Sequence, residues 1–427
     1  MLTIAYLANQ FPADVEPYVG EEIRELRKRG VKVIASSVRR TRKDLYRPAG
    51  EDAGGEILCL RPIQVLMLLR ALGLILWRWN RIAGLLTRAL MGGKESPKRR
   101  AKALLHTYLG AYYAVLLRGH RVDHIHVHHG YFGSWIAMVA ARLLGVEFSL
   151  TLHGSDLLLD GAYLDVKLES CRFCVTISEY NRRHILHHFP DVDPRKILVS
   201  RLGVDVPARA EFPPRRVVRG ARRTLTLLAV GRLHAVKDHA FLVRACARLR
   251  DCGLEFDCAI AGEGPERQRL ESLVRQNRLQ DHVHLLGHVA RHSMDALYRN
   301  ADVVALTSRS EGIPLVLMEA MARCKIVLAP AITGIPELVV PGKTGFLYAP
   351  GALKDFVARI LFLDERTRGE DPNAVSCLDW IRHAARVQVL HNFSRRKNLA
   401  HFGNQFLHLT AAQDWSPPHE DLVLQQI

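Results

Sequence analysis

The sequence predicts an α/β protein made of two consecutive Rossmann-like domains facing each other across a cleft. Three observations lead there. The chain is 427 residues long, about three times a common domain length, so more than one core is expected. Short β-branched and apolar runs alternate with helix-length amphipathic stretches, the pattern of parallel sheets with crossover helices. One segment, 205–223, breaks this rhythm with Pro207, Pro213, Pro214, Gly220 and six arginines, a composition found at domain boundaries.

The elements follow in order. Residues 2–8 read as a buried strand, 21–29 as a helix ending at Gly30, and 31–35 as a second strand, so a βαβ unit opens the chain. Later come a strand at His124–His128, a helix at 135–144 and a strand at 148–152. Beyond the break the strand candidates are Leu225–Val230, Phe256–Ala261, 283–285 and 303–306. Helices are expected at 240–250, 267–275, 294–299 and 315–321. The expected division is a first domain over 1–204, a linker over 205–223, a second domain over 224–392, and a closing helix and tail over 393–427 that return to the first domain.

Hydrophobic residues make up 48% and charged residues 24% of the chain, ordinary globular usage that excludes disordered, collagen-like and coiled-coil classes. The formal net charge of +17 points to anionic partners and says nothing about fold. No apolar run reaches the roughly 20 residues of a bilayer span, and the N-terminus lacks the basic and small-residue features of a signal peptide. Eight cysteines without a pairing framework suit a reducing compartment. The expected location is therefore cytoplasmic. Cys171 and Cys174 form a lone CxxC followed by apolar Val175 and Ile177, which reads as core rather than metal site.

Residues 61–102 hold ten lysines or arginines and one acid, Glu95, among leucines, isoleucines and Trp77 and Trp79. As one continuous helix, this stretch would place Arg70, Arg81 and Arg88 within about 20° of each other. Such an arginine edge on an apolar helix suits the plane of an anionic membrane surface. It equally suits a core helix whose arginines reach out to solvent.

Three elements of the second half carry chemistry. Glu311-Gly312-Ile313-Pro314-Leu315 leads from a strand into a helix, with Glu319 two turns further along. Gly312 relaxes the backbone, Pro314 suits a first turn, and free N–H groups at a helix start bind anions. The carboxylates beside them can accept from sugar hydroxyls, although Glu311 as a mere cap and Glu319 as a surface residue is the plain alternative. Arg232 and Lys237 are brought to one strand end by the loop after 225–230, where paired cations would neutralise a diphosphate. The turn 262–265 (GEGP) matches only part of a dinucleotide fingerprint.

Together these elements resemble the second domain of glycosyltransferase family 4. The likeness covers the VGRL…K loop at 230–237, GEGP at 262–265, and LLG.V at 285–289. It continues through SRSEGIPLVLMEAMA at 308–322 and GIPELV.PGKTGFL at 334–347. More faintly, Phe11-Pro12, Glu22-Ile23, His126-Val127-His128 and Leu152-His153-Gly154-Ser155-Asp156 resemble the branch that builds exopolysaccharides such as colanic acid, and Phe393-Ser394 resembles that branch's closing-helix signal. Val15-Glu16-Pro17-Tyr18 departs from it, standing where the branch shows a small polar residue and an acid.

The resemblance implies a GT-B architecture, an acceptor-side first domain and a nucleotide-sugar-binding second domain. It implies a retaining transfer to a lipid-linked or polysaccharide-precursor acceptor, without a metal or other cofactor. Arg232 and Lys237 would hold the diphosphate, whose growing charge fixed cations and helix-end amides stabilise. Glu319 would accept from the ribose, and Val289 would also line the donor site. Glu311 with Gly312, Ile313, Pro314 and Leu315 would hold the transferred sugar, and His153 would face it from the first domain. The implied place is peripheral, on the inner face of the plasma membrane.

His124, His126 and His128 alternate along a strand and share one face, followed by His129. Strand geometry spreads the three over about 13 Å, too far for one tetrahedral ion. One or two of them near His153 at the cleft is the expectation. Two other functions stand beside the transferase: a nucleotide-sugar 2-epimerase of the same fold, and a basic nucleic-acid binder. The second is disfavoured by 7% aromatics without a stacking motif.

Overall fold

Two parallel sheets organise the chain in the computed structural model, which describes residues 1–13, 16–39, 57–93, 95–159, 161–209, 224–367 and 372–411. The chain divides into two units, residues 1–200 with 399 onward, and residues 201–398. Residues 210–223 of the expected linker, Val15, Lys94 and the tail beyond Ala411 lie outside the described residues.

The first unit holds β1 (Thr3–Gln10), β2 (Lys32–Arg39), β3 (Leu58–Cys59), β4 (His124–His128), β5 (Glu147–Leu152), β6 (Cys174–Thr176) and β7 (Ile197–Val199). Their order is β3-β2-β1-β4-β5-β6-β7, parallel throughout. The second unit holds β8 (Leu225–Val230), β9 (Phe256–Ala261), β10 (Val283–Gly287), β11 (Val303–Ala305), β12 (Ile326–Pro330) and β13 (Phe346–Tyr348). These run β10-β9-β8-β11-β12-β13, again all parallel. Helices cover both faces, so strands such as Ile4-Ala5-Tyr6-Leu7-Ala8 are buried end to end and show no alternation in sequence. In each unit the order reverses beside the first strand, between β1 and β4 and between β8 and β11. In an open parallel sheet ligands bind outside the carboxyl ends of the strands at such a point.

The expected elements exist, with shifted ends. The first helix starts at Pro17 rather than 21, because a proline in the first turn loses no hydrogen bond. The helix expected at 135 starts at Phe132. Strands β3, β6 and β13 are two or three residues long, too short to leave a periodic signal. The closing helix Arg395–Ala411 packs Phe402, Phe406 and Leu409 into the first unit's core with Ile4, Tyr6 and Val33. Arg29 clamps it by donating to the Ala400 carbonyl at 3.0 Å and to Asn404.

The 61–102 segment departs from expectation. It is three helices, Val65–Trp77, Trp79–Met91 and one starting at Pro97, so Arg70 does not share a face with Arg81 and Arg88. The chain breaks at Arg78 and again at Gly92–Gly93, where glycines end the helix. Several arginines are consumed locally. Arg81 donates to the Arg142 carbonyl at 3.2 Å, Arg78 to that of Leu143 at 2.5 Å, and Arg88 pairs with Glu95 at 3.1 Å and Asp165 at 2.7 Å. The apolar side chains are what is left outside: Val65 is 72% exposed, Leu69 62%, Leu76 68% and Trp77 70%.

Candidate active site

At the reversal point of the second unit the loops leaving β8 and β11 are stitched together. The Arg309 amide donates to the Val236 carbonyl at 2.8 Å, and the Thr307 hydroxyl to the Lys237 carbonyl at 3.0 Å. This brings Lys237 and Glu311 into contact: Lys237 Nζ lies 2.5 Å from Glu311 Oε1, and the Ser308 hydroxyl donates to the same oxygen at 2.5 Å. Arg309 is taken up by Asp238 at 2.8 Å. Arg232, on the same loop as Lys237, is exposed and forms no ion pair among the described residues. The two cations therefore differ: Lys237 is held by a carboxylate, whereas Arg232 is uncommitted.

The GEGP turn belongs to this loop cluster. A Cβ on Gly262 would stand 1.9 Å from the Gly231 carbonyl oxygen, and one on Gly264 would stand 2.4 Å from that of Leu233. Glycines there, at φ of 152° and 159°, let the turn press against the Arg232 loop. Val289 follows β10 and is half-buried.

The helix after Glu311 runs Leu315–Ala322, with Pro314 as its cap rather than its first residue. Glu311 stands just ahead of it, and the Thr333 hydroxyl donates to the Glu311 carbonyl at 2.5 Å. Ile313 and Pro314 are buried, Gly312 and Leu315 half-buried. Glu319 Oε2 accepts from the Tyr298 hydroxyl at 2.7 Å, which leaves Oε1 without a protein partner among the described residues. Burial, then the Glu319 charge, push the Tyr298 phenol well above its ordinary range, so it stays a donor. Nothing in the local pattern singles out Tyr298, which stands in the ordinary amphipathic helix Arg291–Asn300.

In the first unit His153 follows β5. Its Nε2 lies 2.8 Å from His128 Nδ1, and its ring stacks on Tyr18 at 4.5 Å. His128 Nε2 reaches Glu22 Oε2 at 3.0 Å and the Tyr6 hydroxyl at 2.9 Å, and Tyr6 also donates to Glu22. His129 sits between Glu16 Oε1 at 3.1 Å and Asp156 Oδ2 at 3.5 Å. Asp156 is fully buried and accepts from the amides of Gly154 at 2.7 Å, Gly130 at 2.9 Å and His153 at 3.1 Å. Burial works against the charged form of His129, but Asp156 and Glu16 raise it to about 10. Burial likewise opposes the Asp156 carboxylate, and His129 with the Gly154 amide still holds it well below the carboxylate range. Burial, then the neighbouring His129 and His128, push His153 well below the usual imidazole range. Within the stretch that departs from the branch's pattern, Glu16, two residues ahead of Tyr18, supplies a carboxylate to His129.

The alternating histidines do not act together. His124 bonds Ser149 at 2.7 Å, and burial pushes it down to about 3. His126 spends Nδ1 on Ser149 at 2.8 Å and Nε2 on Thr151 at 3.0 Å, with Phe406 5.0 Å from its ring. Glu22, His126 and His128 bring one ligand atom each within 4.8 Å of one another, and those atoms are already paired with hydroxyls or with each other. Glu22, singled out in sequence only as part of a motif, is what links this cluster. Cys171 and Cys174 are buried and free, and burial pushes the Cys171 thiol up to about 12.

Comparison with known proteins agrees with this layout. The family model described as "Glycosyl transferases group 1" matches residues 216–373, and the one described as "Glycosyltransferase Family 4" matches residues 91–207. A putative colanic acid biosynthesis glycosyltransferase of Salmonella typhimurium is 36% identical over 173 residues, 39% of this chain and 42% of the relative. The chain thus spans less than half the length of that relative. Among solved structures, the sucrose-phosphate synthase of Thermosynechococcus elongatus superposes with a TM-score of 0.74 at 16% identity, over 97% of this chain and 100% of that one. The Anabaena protein HepE, solved in complex with UDP-glucose, gives 0.67 at 17% identity over 96% and 100%. Each half thus matches a glycosyltransferase family model, and the fold is that of a GT-B pair of Rossmann-like domains.

Proposed function

We propose that the chain is a retaining glycosyltransferase that moves a sugar from a nucleotide-diphosphate donor to a lipid-linked or polysaccharide-precursor acceptor in cell-surface polysaccharide synthesis. The observation that carries this is the Lys237–Glu311–Ser308 cluster beside an uncommitted Arg232 at the reversal point of the second sheet. Departure of a nucleotide diphosphate builds negative charge on the leaving oxygens. Arg232 as a fork and Lys237 as a point charge stabilise it, together with amides at the start of the helix Leu315–Ala322. This reading asks for no metal. Glu319 offers its open oxygen to the ribose, while Val289 lines the donor site. Glu311 with Gly312, Ile313, Pro314 and Leu315 holds the transferred sugar, and His153 contacts that sugar as an uncharged ring. The colanic acid assignment of the relative and the UDP-glucose bound by HepE support donor and pathway class.

The acceptor side of the reading includes an anionic membrane surface on the cytoplasmic face. Residues 57–93 contain five arginines and no acid. The exposed Val65, Leu66, Leu69, Leu76 and Trp77 lie along one arc of the helix Val65–Trp77. Beside them a groove of about 590 Å³ is lined by Arg70, Leu74, Trp77, Val115 and Arg118. Cations flanking embedded tryptophan and leucine match a negatively charged interface. No described helix is long and apolar enough to cross a bilayer.

Calorimetric titration with UDP, GDP, ADP and dTDP tests the core of the proposal. One of them is expected to bind in the micromolar range, and Arg232→Ala with Lys237→Ala to abolish that binding. Unchanged affinity in the folded double variant would remove the basis of the reading.

A further inference from the structure

The cluster around Glu22 has a direction, set by which groups are able to donate. An ionised carboxylate only accepts, so both neighbours of Glu22 Oε2 must give it a proton: the Tyr6 hydroxyl, and His128 Nε2 at 3.0 Å. A neutral imidazole that donates at Nε2 has a lone pair at Nδ1. His128 Nδ1 lies 2.8 Å from His153 Nε2, so this contact is a hydrogen bond only if His153 donates from Nε2. His153 is then left with a bare lone pair at Nδ1. That atom is buried and has no hydrogen-bond partner among the described residues, a costly state for a polar atom unless a ligand completes it. The ring is held in place by its Nε2 contact to His128 and by Tyr18 stacked on it.

We propose that Glu22 and His128 are positioning residues that fix the tautomer of His153, so that His153 Nδ1 accepts a hydrogen bond from a hydroxyl of the transferred sugar. The identification of that hydroxyl's owner rests on the reading of His153 as a sugar contact. The chemistry gives the arrangement a purpose. Glycosyl transfer develops positive charge at the anomeric carbon, and a neutral ring presenting a lone pair does not repel it, whereas an imidazolium would. Reversing the chain would turn His153 into a donor at Nδ1 and lose the bond to the sugar hydroxyl's proton.

Glu22→Ala makes the prediction specific. With the carboxylate gone, the Tyr6 hydroxyl, 2.9 Å from His128 Nε2, becomes the donor to that atom. His128 must then carry its proton on Nδ1 and donate to His153 Nε2, which shifts the His153 proton to Nδ1. Long-range ¹⁵N–¹H correlation spectra of the full chain labelled at histidine nitrogens read this directly, with His153 assigned through His153→Gln. In the wild type His153 is expected to show a pyrrole-type nitrogen at Nε2 and a pyridine-type nitrogen at Nδ1, and in Glu22→Ala the reverse.

A wild-type His153 protonated at Nδ1, or a His128 protonated at both nitrogens, overturns the proposal without any variant, so it stays decidable if Glu22→Ala does not fold. An unaltered tautomer in folded Glu22→Ala overturns it as well. Turnover over a panel of UDP-, GDP-, ADP- and dTDP-sugars separates the chain of hydrogen bonds from its role. Glu22→Ala is expected to lower kcat at least about tenfold, with KM for the donor within about twofold. An inverted tautomer with undiminished kcat overturns the role at the sugar. A wild type inactive on the whole panel counts against the transferase reading, while the spectra still decide the tautomer.

Discussion

His124, His126 and His153 are kept neutral by burial, and His129 is kept charged by two carboxylates. These opposite shifts give stability a two-sided pH profile. The first three rings have folded pKa values below those of the unfolded chain, so the unfolded state takes up more protons and stability falls as pH drops below about 6.5. At pH 5.5 His124 alone, with its folded value near 3, costs on the order of 1 kcal/mol. His129 has the reverse sign. Its contribution is complete below about pH 6.5 and is lost progressively as pH rises through its folded value of about 10. Asp156 contributes above the ordinary carboxylate range, and that contribution is lost as pH falls through its depressed folded value. Calorimetric Tm between pH 4.5 and 10 is expected to peak near neutrality, and His129→Gln to flatten the alkaline limb only. A profile that rises toward pH 10 contradicts this assignment.

Two elements do work that their neighbours in sequence do not announce. The helix Arg395–Ala411 covers the histidine face of β4, with Phe406 in T-shaped contact with His124, His126 and Phe173. Removing a fully buried aromatic of this kind costs about 3–5 kcal/mol. Phe406→Ala is therefore expected to lower the denaturation midpoint with little change in m, as chemical unfolding would show. The helix Val65–Trp77 is the opposite case: Ala71 and Leu74 are buried with Met67, Leu68 and Ile75 packed against the same core, while Leu66, Leu69, Leu72 and Leu76 stay exposed. Replacing Leu69, Leu76, Trp77 and Trp79 by serine is expected to leave Tm within about 2 °C, because exposed side chains contribute little to folding. The same change should abolish co-flotation with vesicles containing phosphatidylglycerol. Wild type that fails to float with those vesicles contradicts the membrane assignment.

At the scale of the whole chain the two units differ in connectivity. Residues 201–398 are one continuous stretch with a complete sheet and its own buried clusters, whereas the first unit needs residues from 399 onward. Expressed alone, 201–398 is expected to unfold cooperatively, as a contiguous core permits. A fragment ending at 200 lacks Phe402 and Phe406 over the β4 histidines and is expected to melt lower or to aggregate. Circular dichroism melts of both fragments check this, and equal stability would mean the closing helix adds nothing. In the full chain a nucleotide at about 100 times its Kd should add about 2.7 kcal/mol to stability.

Periodicity determined much. Parallel sheets and the order of the main strands and helices were legible, because buried parallel strands and amphipathic helices write their burial into hydrophobic spacing. The GEGP and EGIP turns were legible too, since glycine and proline mark where a backbone must bend or approach closely. The tertiary structure alone decided the pairings. Glu22 reaches His128 across 106 positions, and Lys237 reaches Glu311 across 74, distances over which side-chain chemistry leaves no local trace. It also decided that arginines 78, 81 and 88 are spent on carbonyls and carboxylates while leucines and tryptophans stay outside. Composition counts charges and apolar groups, but which of them a fold satisfies depends on what the chain brings beside them.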